Sequence, residues 1–144
     1  MPDTQPAHGH CLCGKTSIHV GQMSLHAGAC HCSQCRRWSG GPLLATDCGT
    51  DVTLAGTEFI GLFRSSDWAE RGFCTVCGSH LFYRLTDTQQ YFVPVGLFGD
   101  DPKLVLDHQV FIDEKPAFYD FANPTTNLTG AEAFAQFEAQ SSAP

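Results

Sequence analysis

The chain has 144 residues, 42 % of them apolar, which is enough for one domain with a real hydrophobic core and hardly enough for two. A formal net charge of −7 with only 8 Lys and Arg weighs against nucleic acid as a partner, because neutralising phosphates drives most of such affinity. No run approaches the roughly 18 apolar residues of a membrane span. Met1 to His10 is polar and lacks the apolar region of a secretory signal, so the chain is expected in the cytoplasm, where its 8 cysteines point to metal before disulfides.

Residues 1–8 read as a flexible lead, 9–140 as a single domain and 141–144 as a frayed end. In chain order, Thr16 to Val20 alternates and suits a strand, and Glu58 to Phe63 and Leu81 to Leu85 are short runs rich in aromatic or branched residues. Tyr91 to Phe98 is a longer β-like run whose Pro94 argues for an edge strand or a bulge, since proline donates nothing to a ladder. Val105 to Ile112 is a further strand. Glycines at 49, 56, 61, 72, 96 and 99 fall at turn-like spacings. Helix is scarce: one or two turns over Ser33 to Ser39, and a better helix over Ala131 to Gln140, with Gly130 before it and Phe134 and Phe137 at an i, i+3 spacing. The fold class is mainly β with short helical additions.

Seven of the cysteines form three clusters. Cys11-Leu12-Cys13-Gly14 and Cys74-Thr75-Val76-Cys77-Gly78 each end in glycine. Residues i and i+2 of an extended chain face one side, so Cys11 and Cys13 can point at one ion, and Cys74 and Cys77 have the spacing of a zinc knuckle. The closing glycine allows a left-handed turn. Together the pairs supply four thiolates, the closed set of a structural zinc site. A thioredoxin-like redox role for Cys74 and Cys77 is disfavoured, because that motif opens a helix within a βαβ unit and the surroundings here are β only.

Cys30, Cys32 and Cys35 form the third cluster, followed at once by Arg36 and Arg37. Three thiolates leave one position open on a tetrahedral metal, as catalytic zinc requires. A helix starting near Ser33 and the two guanidinium groups would make a local anion-friendly surface. A fourth ligand from His31, His10 or His108 would instead close a second structural site, although His31, between two ligands, should face the other way on an extended chain. From spacing alone both readings remain open, as does a labile or vacant site. Cys48 stands alone and reads as a small buried residue, with a fourth-ligand role as the alternative.

Gly9-His-Cys-Leu-Cys-Gly14, Cys30-His-Cys-Ser-Gln-Cys-Arg-Arg37, Phe73-Cys-Thr-Val-Cys-Gly78 and the stretch His108 to Tyr119 resemble, in order, the glutathione-dependent formaldehyde-activating enzyme family, which shares its domain with centromere protein V. The resemblance implies a β-tent of small antiparallel sheets stapled by zinc. It implies two zinc ions per chain, one structural at Cys11, Cys13, Cys74 and Cys77 and a second at Cys30, Cys32 and Cys35, and a carbon–sulfur lyase acting on glutathione adducts of formaldehyde or another small aldehyde. Within it, Arg36, Arg37 and Lys15 are candidates for the glutathione carboxylates and His108 for proton transfer. A zinc-stabilised module that binds a protein or thiol without chemistry is the alternative, and a nucleic-acid module ranks last on charge. The sequence does not indicate an oligomeric state.

Overall fold

A computed structural model describes residues 3–99 and 103–141; the expected frayed end beyond Ser141 lies outside them. The fold is mainly β, as expected, with eleven strands and two α-helices among the described residues. The described residues form two compact units, residues 3–27 with 45–99 and 103–105, and residues 28–44 with 106–141. No helix of the described residues is long and apolar enough to cross a membrane.

The first unit contains two sets of strands. Thr4–His10 (β1) pairs antiparallel with Ser17–Ser24 (β2), which pairs with Val52–Ala55 (β5). Most of the expected lead is therefore strand. Pro6 hides that signal, and it sits where the β1 register shifts between Gln5 and Ala7, a place that needs no ladder donor. The second set runs in the order β4, β9, β8, β7, β6, formed by Leu43–Gly49, Tyr91–Pro94, His80–Leu85, Ala69–Cys74 and Ile60–Arg64. β9 is thus an interior strand. Pro94 is tolerated at its last position, opposite Ala45, and the chain leaves the ladder in a 3₁₀ turn over Val95–Phe98.

The core of this unit gathers Ile18, Val20 and Met23 from β2 with Leu81, Phe82, Tyr91 and Val93, and it includes the thiols of Cys11, Cys48 and Cys74. Beside it Arg84 pairs with Glu70 and donates to the Tyr91 hydroxyl at 2.8 Å. Two cysteine clusters thus meet an apolar core, which restricts their side chains before any ligand is considered.

The second unit is built on His26–Cys30 (β3), Val105–Val110 (β10) and Thr126–Leu128 (β11), in the order β11, β10, β3. β10 and β11 are parallel, with His108 opposite Thr126 and Gln109 opposite Asn127. β3 leads into Ser33–Ser39 (α1), which ends on left-handed Gly40. Phe111 stops β10 two residues earlier than the expected strand: it is left-handed at φ 55°, an unusual state for a bulky residue, and starts a 3₁₀ turn over Ile112–Glu114. Its ring fills the space a Gly130 side chain would occupy and packs edge-on against Phe134 at 5.6 Å. Gly130–Ser141 (α2) is fixed by a capping box, in which the Thr129 hydroxyl accepts from the Glu132 amide at 3.1 Å and the Glu132 carboxylate accepts from the Thr129 amide at 2.8 Å.

Gly56 closes β5 at φ +73°, and a Cβ there would lie 1.9 Å from the Lys15 carbonyl oxygen. Gly56→Ala therefore combines left-handed strain with a backbone clash and is expected to lower stability by about 3 kcal/mol, measured by urea unfolding.

Candidate metal centres

Each compact unit carries one thiol group. In the first unit, residues 11–16 and 74–79 form two similar turns. The Cys11 amide donates to the Thr16 carbonyl at 3.1 Å and the Cys74 amide to the Ser79 carbonyl at 3.0 Å. The Gly14 and Gly78 amides turn back onto the Cys11 and Cys74 carbonyls, and both glycines sit at φ +81° with open space where a side chain would stand. The four sulfurs converge: Cys11 Sγ lies 3.6 Å from Cys13 Sγ, Cys13 Sγ lies 3.8 Å from Cys74 Sγ, and all four are within 4.8 Å of one another. A zinc–sulfur bond of about 2.3 Å requires tetrahedral edges of about 3.8 Å, so the donor set fits a four-thiolate ion.

Ser79, which sequence reasoning passes over, ties the two turns together. Its hydroxyl accepts from the Leu12 amide at 3.1 Å and donates to Cys77 Sγ at 3.2 Å. That hydroxyl is the largest influence holding the Cys77 thiol down to about 5, which favours the thiolate a metal needs. The hint is its place directly after a Cys-Gly pair. Lys15 belongs to the same unit, where it is exposed with its ammonium 5.2 Å from the Phe59 ring centre.

The second unit brings together Cys30, Cys32 and Cys35, whose sulfurs also lie within 4.8 Å of one another. Cys30 ends β3. Cys32 is the N-cap of α1, its sulfur accepting from the Cys35 amide at 3.4 Å, and Cys35 lies one turn into the helix. Hydrogen bonding among the three thiols, above all between Cys30 and Cys32, drives the Cys32 thiol down to about 2 and the Cys30 thiol up. Crowding of the three thiols thus opposes their joint ionisation, which a bound cation would relieve. No histidine or carboxylate joins these three among the described residues.

His31 turns away from the sulfurs, as strand alternation expects. It is fully buried, with Nδ1 2.8 Å from the Tyr119 hydroxyl and Nε2 2.7 Å from Gln109 Oε1. The amide oxygen only accepts, so Nε2 carries the proton and Nδ1 accepts from Tyr119. Burial, the largest influence, pushes the imidazole pKa down and keeps the ring neutral. Gln109 passes the chain on to Thr125 at 2.8 Å, and Thr125 donates to Asn127 at 2.7 Å. Both ring nitrogens are thus committed to a polar network beneath the thiols, and His31 is no fourth ligand. Tyr119 lies in the stretch singled out from the sequence, but its role depends on a contact 88 positions away along the chain.

The expected anion-friendly helix start is filled from within. Glu114 accepts from the Ser33 amide at 3.1 Å, and Arg36 donates Nε–H to the His31 carbonyl at 2.9 Å. Arg37 is exposed on α1. Lys115 anchors its own loop, donating to the Pro116 and Tyr119 carbonyls and pairing with Asp120 at 2.8 Å. His108 sits on β10 with Nδ1 2.8 Å from Asp107 Oδ1, and both line an open pocket of about 520 Å³ with Pro124, Thr125 and Thr126. Its ring lies over Gly28, where a Cβ would be 2.2 Å from Nε2. Gly28 and Cys30 are two residues apart on β3, so the His108 ring and the Cys30 thiol occupy the same face of that strand. Cys48 is fully buried in the core of the first unit, its thiol 3.7 Å from the Thr46 carbonyl, and burial pushes it up to about 12. All eight cysteines are free.

The model of the glutathione-dependent formaldehyde-activating enzyme family matches residues 6–114, a span that includes both thiol groups. The chain belongs to this family. A relative in Schizosaccharomyces pombe, named as an uncharacterized lyase, is 36 % identical over 130 residues, which cover 90 % of this chain and 93 % of that one. The crystal structure of a Rhodobacter sphaeroides protein, a structural-genomics target, is similar with a TM-score of 0.57 and 27 % identity, over 67 % of this chain and 92 % of that one. Family membership and the lyase-named relative support a function of this family's type, and the two thiol groups are compatible with bound metal.

His31→Ala removes the partner of two buried polar groups and leaves a cavity, and is expected to cost about 3 kcal/mol; thermal unfolding measures it. Cys48→Ala is expected to cost about 1 kcal/mol while leaving metal content unchanged, as measured by elemental analysis of the purified protein.

Proposed function

We propose that the chain is a zinc-dependent carbon–sulfur lyase that cleaves and forms adducts between glutathione, or a related thiol, and formaldehyde or another small aldehyde. The observation that supports this most is the three-thiol group of Cys30, Cys32 and Cys35, whose neighbouring histidine is turned into a buried network and which has one coordination position to spare. Cys30, Cys32 and Cys35 would hold zinc, which would supply a Lewis acid that favours the thiolate of a bound thiol. The four-thiol group of Cys11, Cys13, Cys74 and Cys77 is the structural site in this reading. The free state of all eight cysteines accords with the cytoplasm as the proposed compartment.

The remaining roles fall to the chain's own residues. His108 donates Nδ1–H to the Asp107 carboxylate, which leaves the Nε2 lone pair available on the face of β3 that bears Cys30. In the cleavage direction Nε2 takes the proton of the adduct's hydroxyl as the carbon–oxygen double bond forms and the carbon–sulfur electrons return to sulfur. In the synthetic direction the same proton goes back to the aldehyde oxygen. Arg37, exposed on α1, is the first candidate for a glutathione carboxylate. Arg36 already spends Nε–H on the His31 carbonyl, and Lys15 lies in the unit of the structural group, so both are secondary candidates.

Exchange NMR between S-(hydroxymethyl)glutathione and its components, with and without protein, tests the reading. Protein is expected to accelerate exchange, and an unchanged rate removes the reaction. Cys32→Ser should abolish the acceleration and release one zinc from a folded chain, whereas Cys74→Ser should unfold the first unit. His108→Ala should slow exchange by about 10²-fold, in keeping with loss of a general base.

A further inference from the structure

We propose that His8, His10 and His19 form a third metal site, on the exposed face of the β1–β2 sheet, for a divalent transition ion of the class that imidazole suits, such as zinc, nickel or cobalt. His8 and His19 are opposite each other in the antiparallel register, and their rings lie 4.1 Å apart between centroids with a 35° tilt. Opposed residues place their Cβ atoms about 5 Å apart, within reach of one ion shared by two imidazoles. His10 is two residues from His8 on the same strand and therefore on the same face.

That face is fixed by a backbone contact. Gly9 is buried between the two histidines, and a Cβ there would stand 2.6 Å from the Leu97 carbonyl oxygen. The close approach holds β1 in the one register that sends His8 and His10 outward together. All three histidines are exposed.

His10 is further prepared as a ligand. Its Nδ1 is 2.8 Å from the Cys11 carbonyl oxygen, which only accepts, so Nδ1 carries the proton and Nε2 presents its lone pair. A backbone carbonyl holding the second nitrogen is the usual outer support of a metal-bound imidazole. As they stand the three rings do not bring one nitrogen each within 4.8 Å of one another, so binding requires these exposed rings to turn about χ1 and χ2. So turned, two imidazoles from one strand and one from its neighbour supply three nitrogen donors and leave a coordination position for water, a harder and more exchangeable set than the thiol groups.

The test uses the full chain with its thiol groups already loaded with zinc. Cobalt(II) is then titrated and followed by visible absorption and by metal content after desalting. The expected result is one further ion per chain with weak ligand-field bands and no thiolate-to-cobalt charge-transfer absorption. His8→Asn/His19→Asn should lose that ion while keeping the original zinc and the original melting temperature, since both positions are exposed. His10→Asn should weaken uptake. No uptake by the wild-type chain, uptake accompanied by charge-transfer absorption and zinc release, or equal uptake by the double variant would each overturn the site.

Discussion

Sulfur atoms held 3.6 and 3.8 Å apart are the constraint on which the first unit turns. Two thiolates at such a separation repel by about 4 kcal/mol at the effective dielectric of a protein surface, so all four sulfurs ionise together only with a cation among them. The surrounding chain serves that proximity. Two left-handed glycines fold back two short turns, and Ser79 joins one turn to the other. Strands β2, β4, β5 and β6 lie between the two cysteine pairs in sequence, and β7 ends on Cys74. Metal bound at this group would therefore be coupled to the folding of the unit.

The second unit uses the same element differently. A cysteine, rather than serine or aspartate, caps α1, so the residue that satisfies the helix start is one of the three thiols. The histidine between two of them stiffens the loop from below through Tyr119 and Gln109. The result is a thiol group rigid on its buried side, which is the arrangement that preorganisation of a reactive centre favours.

The thiol groups are legible in the sequence because i, i+2 and i, i+3 spacings act locally, and so are α1 and strands β2 and β8. Three of the strands that a linear reading passes over share a cause. β1 contains Pro6 and several polar positions, β3 is mostly Ala and Gly, and β7 carries Glu70, Arg71 and Gly72, whose stabilising partners are cross-strand. The run from Tyr91 to Phe98 misleads in the opposite way: its apolar residues outlast the ladder because a 3₁₀ turn is equally at home with them. Helix α2 shows in its phenylalanine spacing, while its stronger signal, Thr129 with Glu132, is a capping box one residue upstream. Gln109 and Tyr119 carry no local signature, since each acts on a residue far away in the chain, and Ser79 shows only in its place after a Cys-Gly pair.

The 3₁₀ turn over Ile112–Glu114 couples the starts of both helices. Asp113 accepts from the Gly130 amide at 2.8 Å at the start of α2, and the very next residue, Glu114, accepts from the Ser33 amide at the start of α1. Left-handed Phe111 sets the direction from which both carboxylates depart. Adding or deleting one residue in this turn would exchange or lose both caps in a single event. Length variation in the second unit is thus barred at residues 111–114, and a loop graft or an epitope insertion belongs elsewhere, as in the exposed residues 87–89 of the first unit.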